Sequence, residues 1–83
     1  MEITLKLFAN LRDYLPEGSD IHNAKLVIQE GETAYSVLER CRVPREMAHL
    51  VLLNGVYLQP EERERSVLKE GDTLAVWPAV AGG

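Results

Sequence analysis

Few residues in this chain of 83 have the type and spacing that chemistry needs, and the most distinctive lie at its end. The sequence closes on Gly82-Gly83, after the apolar stretch Pro78-Ala79-Val80-Ala81. Glycine has no Cβ, so such an ending can pass through a channel too narrow for other residues, in backbone conformations closed to them. The α-carboxylate of Gly83 is then the one distinctive chemical group in the stretch. It is a candidate reactive group carried on an otherwise inert domain. A frayed terminus with no role is the plain alternative, since the last residues of most domains are idle.

The remaining candidates read more simply as structure. His22 and His49 stand far apart and neither belongs to a metal-ligand spacing, so both read as surface or half-buried histidines. Cys41 falls on the apolar face of an expected helix. A nucleophilic role would need a histidine or a positive environment that lowers its pKa. Arg40 and Arg42 adjoin it in sequence but project elsewhere on a helix, so core packing is the better reading. Glu61, Glu62 and Glu64 are interleaved with Arg63 and Arg65, which marks a solvated charged face rather than an acid–base pair. No phosphate-cradling glycine loop is present, so the chain shows no means of binding ATP itself. No catalytic residue and no metal ligand is assigned.

Trp77-Pro78 carries more information. Proline cannot donate a ladder hydrogen bond, so the last strand is expected to end here with the tail directed outward. From Ala79 to Gly83 the chain could extend roughly 17 Å, enough to enter another protein's active site. The absence of charge over residues 78–83 favours burial of this tail in a partner, because disordered tails are usually polar.

Composition bounds the rest. The chain is short enough to be one domain over residues 1–83, with one core and little else. Thirteen acidic against nine basic residues give a net charge of −4. That argues against nucleic acid as a partner and mildly favours a basic protein surface. A single cysteine rules out an internal disulfide and fits a reducing compartment. The N-terminus has no basic region followed by a long apolar stretch, and no run approaches the roughly 20 apolar residues of a membrane span. A cytoplasmic protein without membrane contact, monomeric when free, is expected.

The elements that must position the tail follow from periodicity. Glu2 to Phe8 alternates, with Ile3, Leu5 and Leu7 on one face, as a half-buried strand does. Asn10 to Leu15 suits a helical turn and Pro16 to Asp20 a loop. Ala24, Leu26 and Ile28 mark a second strand, which Gly31 breaks. Thr33 is a candidate helix N-cap, followed by Ala34, Val37, Leu38 and Cys41 at helical spacing. Pro44 ends that helix and can open a further turn through Ala48. Leu50 to Leu53 and Val56 to Leu58 flank Asn54-Gly55, a strong hairpin signal. Pro60 to Arg65 reads as solvated, Lys69 to Asp72 as a turn and Thr73 to Trp77 as the final strand. The order strand, strand, helix, strand, strand, strand predicts an α+β domain with one main helix on one face of a mixed sheet. The ubiquitin-like β-grasp has this order, with the first and last strands parallel at the centre. A ferredoxin-like arrangement would need a second full helix, for which residues 60–65 are too few.

Four segments together resemble the MoaD/ThiS family of sulfur carriers: Lys6-Leu7-Phe8-Ala9-Asn10-Leu11-Arg12, Asn54-Gly55, Glu70-Gly71-Asp72-Thr73-Leu74 and Trp77-Pro78-Ala79-Val80-Ala81-Gly82-Gly83. The resemblance runs the length of the chain. It implies a β-grasp fold with a flexible tail over residues 78–83. It also implies that an E1-like enzyme transfers AMP from ATP to Gly83, and that sulfur then displaces AMP to leave a C-terminal thiocarboxylate. Gly82 would give access to a narrow channel, and Phe8, Trp77, Pro78 and Val80 are candidate docking residues. For Phe8 and Trp77, membership of the core is the equal alternative. No cofactor of the chain's own is implied, since the partner binds ATP. Residues 7–12 and the Trp77-Pro78 ending are closer to the MoaD-like branch, the small subunit of molybdopterin synthase, which pairs with a larger catalytic subunit. A thiazole synthase is the corresponding partner for the ThiS-like branch. Tungsten-cofactor synthesis, tRNA thiolation and protein conjugation are further destinations. The stretch from Glu39 to His49 is shorter than in the better-known MoaD-like chains.

Overall fold

The alternation of the first strand is realised directly: Ile3, Leu5 and Leu7 are each at most 1% exposed, while Thr4 and Lys6 lie half-buried on the other face. The computed structural model describes residues 1–79; Val80, Ala81, Gly82 and Gly83 lie outside the described residues. Strand β1 (Glu2–Leu7) is followed by a 3-10 turn (Ala9–Tyr14), strand β2 (Asn23–Val27), helix α1 (Ala34–Arg40), a 3-10 turn (Arg45–Met47), the hairpin β3 (Leu50–Leu53) and β4 (Val56–Tyr57), a 3-10 turn (Pro60–Glu62) and strand β5 (Thr73–Trp77). The sheet order is β2-β1-β5-β3-β4. β1 and β5 are parallel at its centre, and the remaining pairs are antiparallel. This is the expected α+β β-grasp.

Helix α1 forms because its ends are chemically satisfied and one face is apolar. Thr33 accepts a hydrogen bond from the Ser36 backbone N–H at 3.3 Å, and the Thr33 N–H donates to Ser36 Oγ at 2.8 Å. The pair makes a capping box that occupies two otherwise orphaned donors. Ala34, Val37 and Leu38 point into the core against β1, Val51 of β3, and Leu74 and Val76 of β5. The opposite side of the sheet is not covered by the helix and is called the open face below.

Asn54 and Gly55 have φ of +51° and +82°, the left-handed backbone that a tight hairpin turn requires. Asn54 does a second job. Its amide donates to Asp72 Oδ1 at 2.9 Å and its carbonyl oxygen accepts from the Thr73 N–H at 2.8 Å. Asp72 Oδ2 in turn accepts from the Lys69 N–H. Two motifs read separately in the sequence, Asn54-Gly55 and Glu70-Gly71-Asp72-Thr73, are therefore one hydrogen-bonded unit that starts β5 in register.

Strand β2 runs only to Val27, but Ile28 stays paired with the start of the chain: its N–H donates to the Met1 carbonyl at 2.7 Å, its carbonyl accepts from the Met1 amine at 3.2 Å, and its side chain is 2% exposed in the core. Two expectations need correction. The returning hairpin strand is only Val56–Tyr57, with Leu58 turned into the core. The charged stretch 60–65 is not solvated throughout. Arg63 is 3% exposed, and its guanidinium donates to the carbonyls of Leu58, Ala48 and His49. A run of alternating charges gave no sign of this, because backbone carbonyls rather than carboxylates satisfy the cation.

Replacing Leu74 by alanine removes a fully buried side chain at the centre of the sheet and should cost about 2–5 kcal/mol in urea unfolding. Asn54→Ala loses two hydrogen bonds on the surface and should cost about 1–2 kcal/mol by the same measurement.

Candidate functional site

The parallel pairing of β1 and β5 brings both strands to an end at the same edge of the sheet, with Leu7 opposite Val76. One residue further on, the Phe8 N–H donates to the Val76 carbonyl at 3.1 Å. Trp77 is opposite Leu50 of β3, and its carbonyl accepts from the His49 N–H at 3.0 Å. The backbone is thus held on both sides up to Trp77. Pro78 then has no N–H to continue a ladder. This edge is where the segment that leads to Gly82 and Gly83 leaves the sheet.

Phe8 and Trp77 stack at this exit on the open face. Their ring centroids are 4.3 Å apart with planes inclined by 5°. The exposed His22 ring also lies near Phe8, with ring centroids 5.1 Å apart and planes inclined by 30°. Phe8, Trp77 and Pro78 are each half-buried. For Phe8 and Trp77 the core alternative is not what the fold adopts: both rings lie outside the buried cluster that α1 covers. Sheet alternation explains why. Val76 faces the helix, so Trp77 must face away from it. Val80, also a candidate docking residue, lies outside the described residues, as do Gly82 and Gly83.

The strand register extends this apolar corner across the sheet. Leu50 adjoins Trp77, and the next row runs Tyr57, Leu52, Ala75, Lys6 and Asn23 over β4, β3, β5, β1 and β2. Ala75 is small, so the centre of the row is shallow between larger neighbours. Beyond it, between β1, β2 and the loop Pro16–Asp20, lies a groove of about 600 Å³. Lys6, Lys25, Glu17 and Asp20 all line that groove, so its charges balance and select no sign of ligand. The strands of the open face carry Lys6, Lys25 and Glu2. The face therefore does not share the acidity of the molecule as a whole, on which a basic partner was expected.

The other sequence candidates are not brought together. His22 and His49 are both exposed, and His49 contributes only backbone hydrogen bonds. Among the described residues no group of three or more histidine, cysteine or carboxylate side chains could hold a metal ion, and no helix is long and apolar enough to cross a membrane. Cys41 is half-buried at the C-cap of α1 and packs against the core. Burial pushes its thiol pKa up, and the positive charge of Arg40 opposes this only in part, so the thiol stays protonated near neutrality. That is the behaviour of a packing cysteine and not of a nucleophile. Sequence reasoning missed Leu50, Leu52 and Tyr57 as open-face residues. Their strand alternation was visible, but which side the helix covers was not.

Known proteins bear on this geometry. No curated protein matches the chain. Among solved structures, the thiamine biosynthesis protein ThiS from Geobacter metallireducens is similar at a TM-score of 0.66 and 19% identity, covering both chains in full. SAMP1 from Haloferax volcanii is similar at 0.69 and 23%, again covering both chains in full. The complex of subunits 1 and 2 of the molybdopterin-converting factor from Helicobacter pylori 26695 matches at 0.58 and 19%, with full coverage of both chains. At these identities the likenesses establish the β-grasp fold. The sequence model of the ThiS family matches residues 5–83, from the middle of β1 through the last glycine. The chain thus has the fold of ThiS/MoaD-like sulfur carriers, and it belongs to the ThiS family.

Proposed function

We propose that this chain is a sulfur carrier whose reactive group is the carboxylate of Gly83. The observation that carries the reading is the family match, which extends through Gly82-Gly83 and beyond the described fold. The sheet supports it by holding the backbone firmly up to Trp77 and offering an apolar corner at the point of exit.

The chemistry divides between two proteins. A carboxylate is a poor electrophile, because displacing its oxygen requires loss of oxide. In the partner, an E1-like adenylating enzyme, the Gly83 carboxylate attacks the α-phosphorus of ATP and pyrophosphate leaves. Hydrosulfide then attacks the carbonyl carbon and AMP leaves, giving the thiocarboxylate; a persulfide donor gives an acyl disulfide instead, which a second thiol cleaves to the thiocarboxylate with formation of a disulfide. The carrier supplies no acid, base or metal to either step. Its part is to present the tail and to dock. Phe8, Trp77 and Pro78, with Leu50 and Leu52 beside them, form the docking corner, and the same face serves the enzyme that consumes the sulfur. Gly82 lets the terminus enter a narrow active-site channel.

The destination we favour is molybdopterin synthesis, with a larger synthase subunit as recipient of the tail. Residues 7–12 and the Trp77-Pro78 ending support it. The Helicobacter pylori subunit 1, which shares this fold, is itself in complex with a subunit 2. A second reading, sulfur supply for the thiazole of thiamine, is supported by the family the chain matches. Both pathways call for a cytoplasmic carrier.

Intact-mass measurement tests the carrier reading. Incubation with a cognate E1-like enzyme, ATP and a sulfur donor should add the mass difference of oxygen replaced by sulfur. An unchanged mass with a demonstrably active enzyme refutes the carrier, and an isopeptide-linked product would identify a protein modifier instead. One alanine added after Gly83 should leave the unfolding midpoint unaltered and abolish thiocarboxylation; continued sulfur delivery would rule out the terminal carboxylate. Trp77→Ala should raise the KM for the adenylating enzyme by about tenfold or more, the scale of an aromatic interface anchor.

A further inference from the structure

Arg63 stands out as the one charged side chain that is buried among the described residues. Its ligands are unusual for a buried cation. Nε donates to the Leu58 carbonyl at 3.0 Å, Nη1 to the Ala48 carbonyl at 3.0 Å, and Nη2 to the His49 carbonyl and the Tyr57 hydroxyl oxygen, both at 3.3 Å. The ion pairs among the described residues are Glu32 with Arg40 and Glu64 with Arg45, so no carboxylate neutralises Arg63. Carbonyl dipoles solvate its charge without cancelling it. A positive potential therefore remains in a region of low dielectric, where it is poorly screened.

Tyr57 is where that potential reaches the surface. The register places it opposite Leu52, hence on the open face, and it is 44% exposed. The guanidinium carbon is 5.6 Å from its ring centroid. Because the phenol oxygen accepts from Arg63, its own proton is left to be donated elsewhere, and the donor is strengthened by polarisation. Tyr57 and Lys6 bracket the apolar Leu52 and Ala75 in one row across the sheet. This is an apolar centre with donors at its rim, the anatomy of a protein docking surface.

We propose that Tyr57, polarised by the buried Arg63, is the directional hydrogen-bond donor of the docking face, and that it engages a carboxylate on the adenylating enzyme that receives this carrier. The proposal rests on the carrier reading above. An anion is the favoured acceptor because the charge beneath the phenol is positive and uncancelled. Tyr57 acts here as a specificity and positioning residue, remote from the reacting carboxylate.

The test is Tyr57→Phe in the full chain, which keeps the ring and removes only the hydroxyl, assayed with the cognate E1-like enzyme, ATP and a sulfur donor. The KM for the carrier should rise about tenfold, equivalent to about 1.4 kcal/mol, with kcat unchanged. The thermal midpoint should stay within a few degrees of the parent's. Val56→Ser changes a still more exposed neighbour on the other side of the strand and should leave KM alone. An unchanged KM for Tyr57→Phe overturns the proposal, as does an equal rise for Val56→Ser. A fall in thermal midpoint without a change in KM would also overturn it, by assigning the hydroxyl to folding. These outcomes require that the parent chain be activated. A parent that gains no sulfur with an active enzyme instead overturns the carrier reading, and this inference with it.

Discussion

The parallel pairing of β1 with β5 governs everything else in this molecule. It joins the first residues of the chain to the last ones described, with Thr4 opposite Thr73 and Leu7 opposite Val76. Such a pairing closes the longest loop available and has a large entropic cost before any contact rewards it. The reward is the centre of the core, where Leu5, Leu7, Leu74 and Val76 are fully buried against α1. Because parallel strands run the same way, they also end together. That single geometric fact brings Phe8 to Trp77 and leaves the segment leading to Gly83 at a supported edge.

The register of β5 therefore decides which side chains reach each face of the sheet. A slip of one residue would exchange the faces of every side chain, sending Trp77 into the core and Val76 to the surface. The Asn54–Asp72–Thr73 hydrogen bonds hold the start of the strand, and the core side chains Leu74 and Val76 hold its middle. Arg63 secures the neighbouring edge in a different way. By gathering the carbonyls of Ala48, His49 and Leu58, it ties the approach to β3 to the end of the β3–β4 hairpin without any partner acid. Losing such a group would leave several acceptors unpaired in a buried place, which is why a buried arginine of this kind stiffens its surroundings.

The division of labour follows from the fold's economy. A domain this small buries one core and has little interior left for a catalytic cavity. The charges of the groove beside β2 balance, and the lone cysteine is kept protonated by burial. The proposed role as a carrier needs none of that chemistry, only a terminus to present and a face to be recognised.

Much was legible in the sequence. Alternation in residues 2–8, the Thr33 cap, the Asn54-Gly55 turn and the break at Pro78 are local effects, set by side-chain periodicity, capping and the missing N–H of proline. They determined the element order, and with it the β-grasp and the family resemblance. Tertiary structure alone decided which faces meet. Phe8 and Trp77 were equally suited to core or surface until the helix covered one side of the sheet and left them on the other. Arg63 reads as solvated among its charged neighbours, because a sequence shows carboxylates nearby but not the carbonyls that two other segments, residues 48–49 and Leu58, bring to it. The sequence by itself thus determined the order of the elements and the apolar ending on two glycines, because both are local. Only the packing of residues distant in the chain decided which side chains share the open face, because that depends on which side the helix covers.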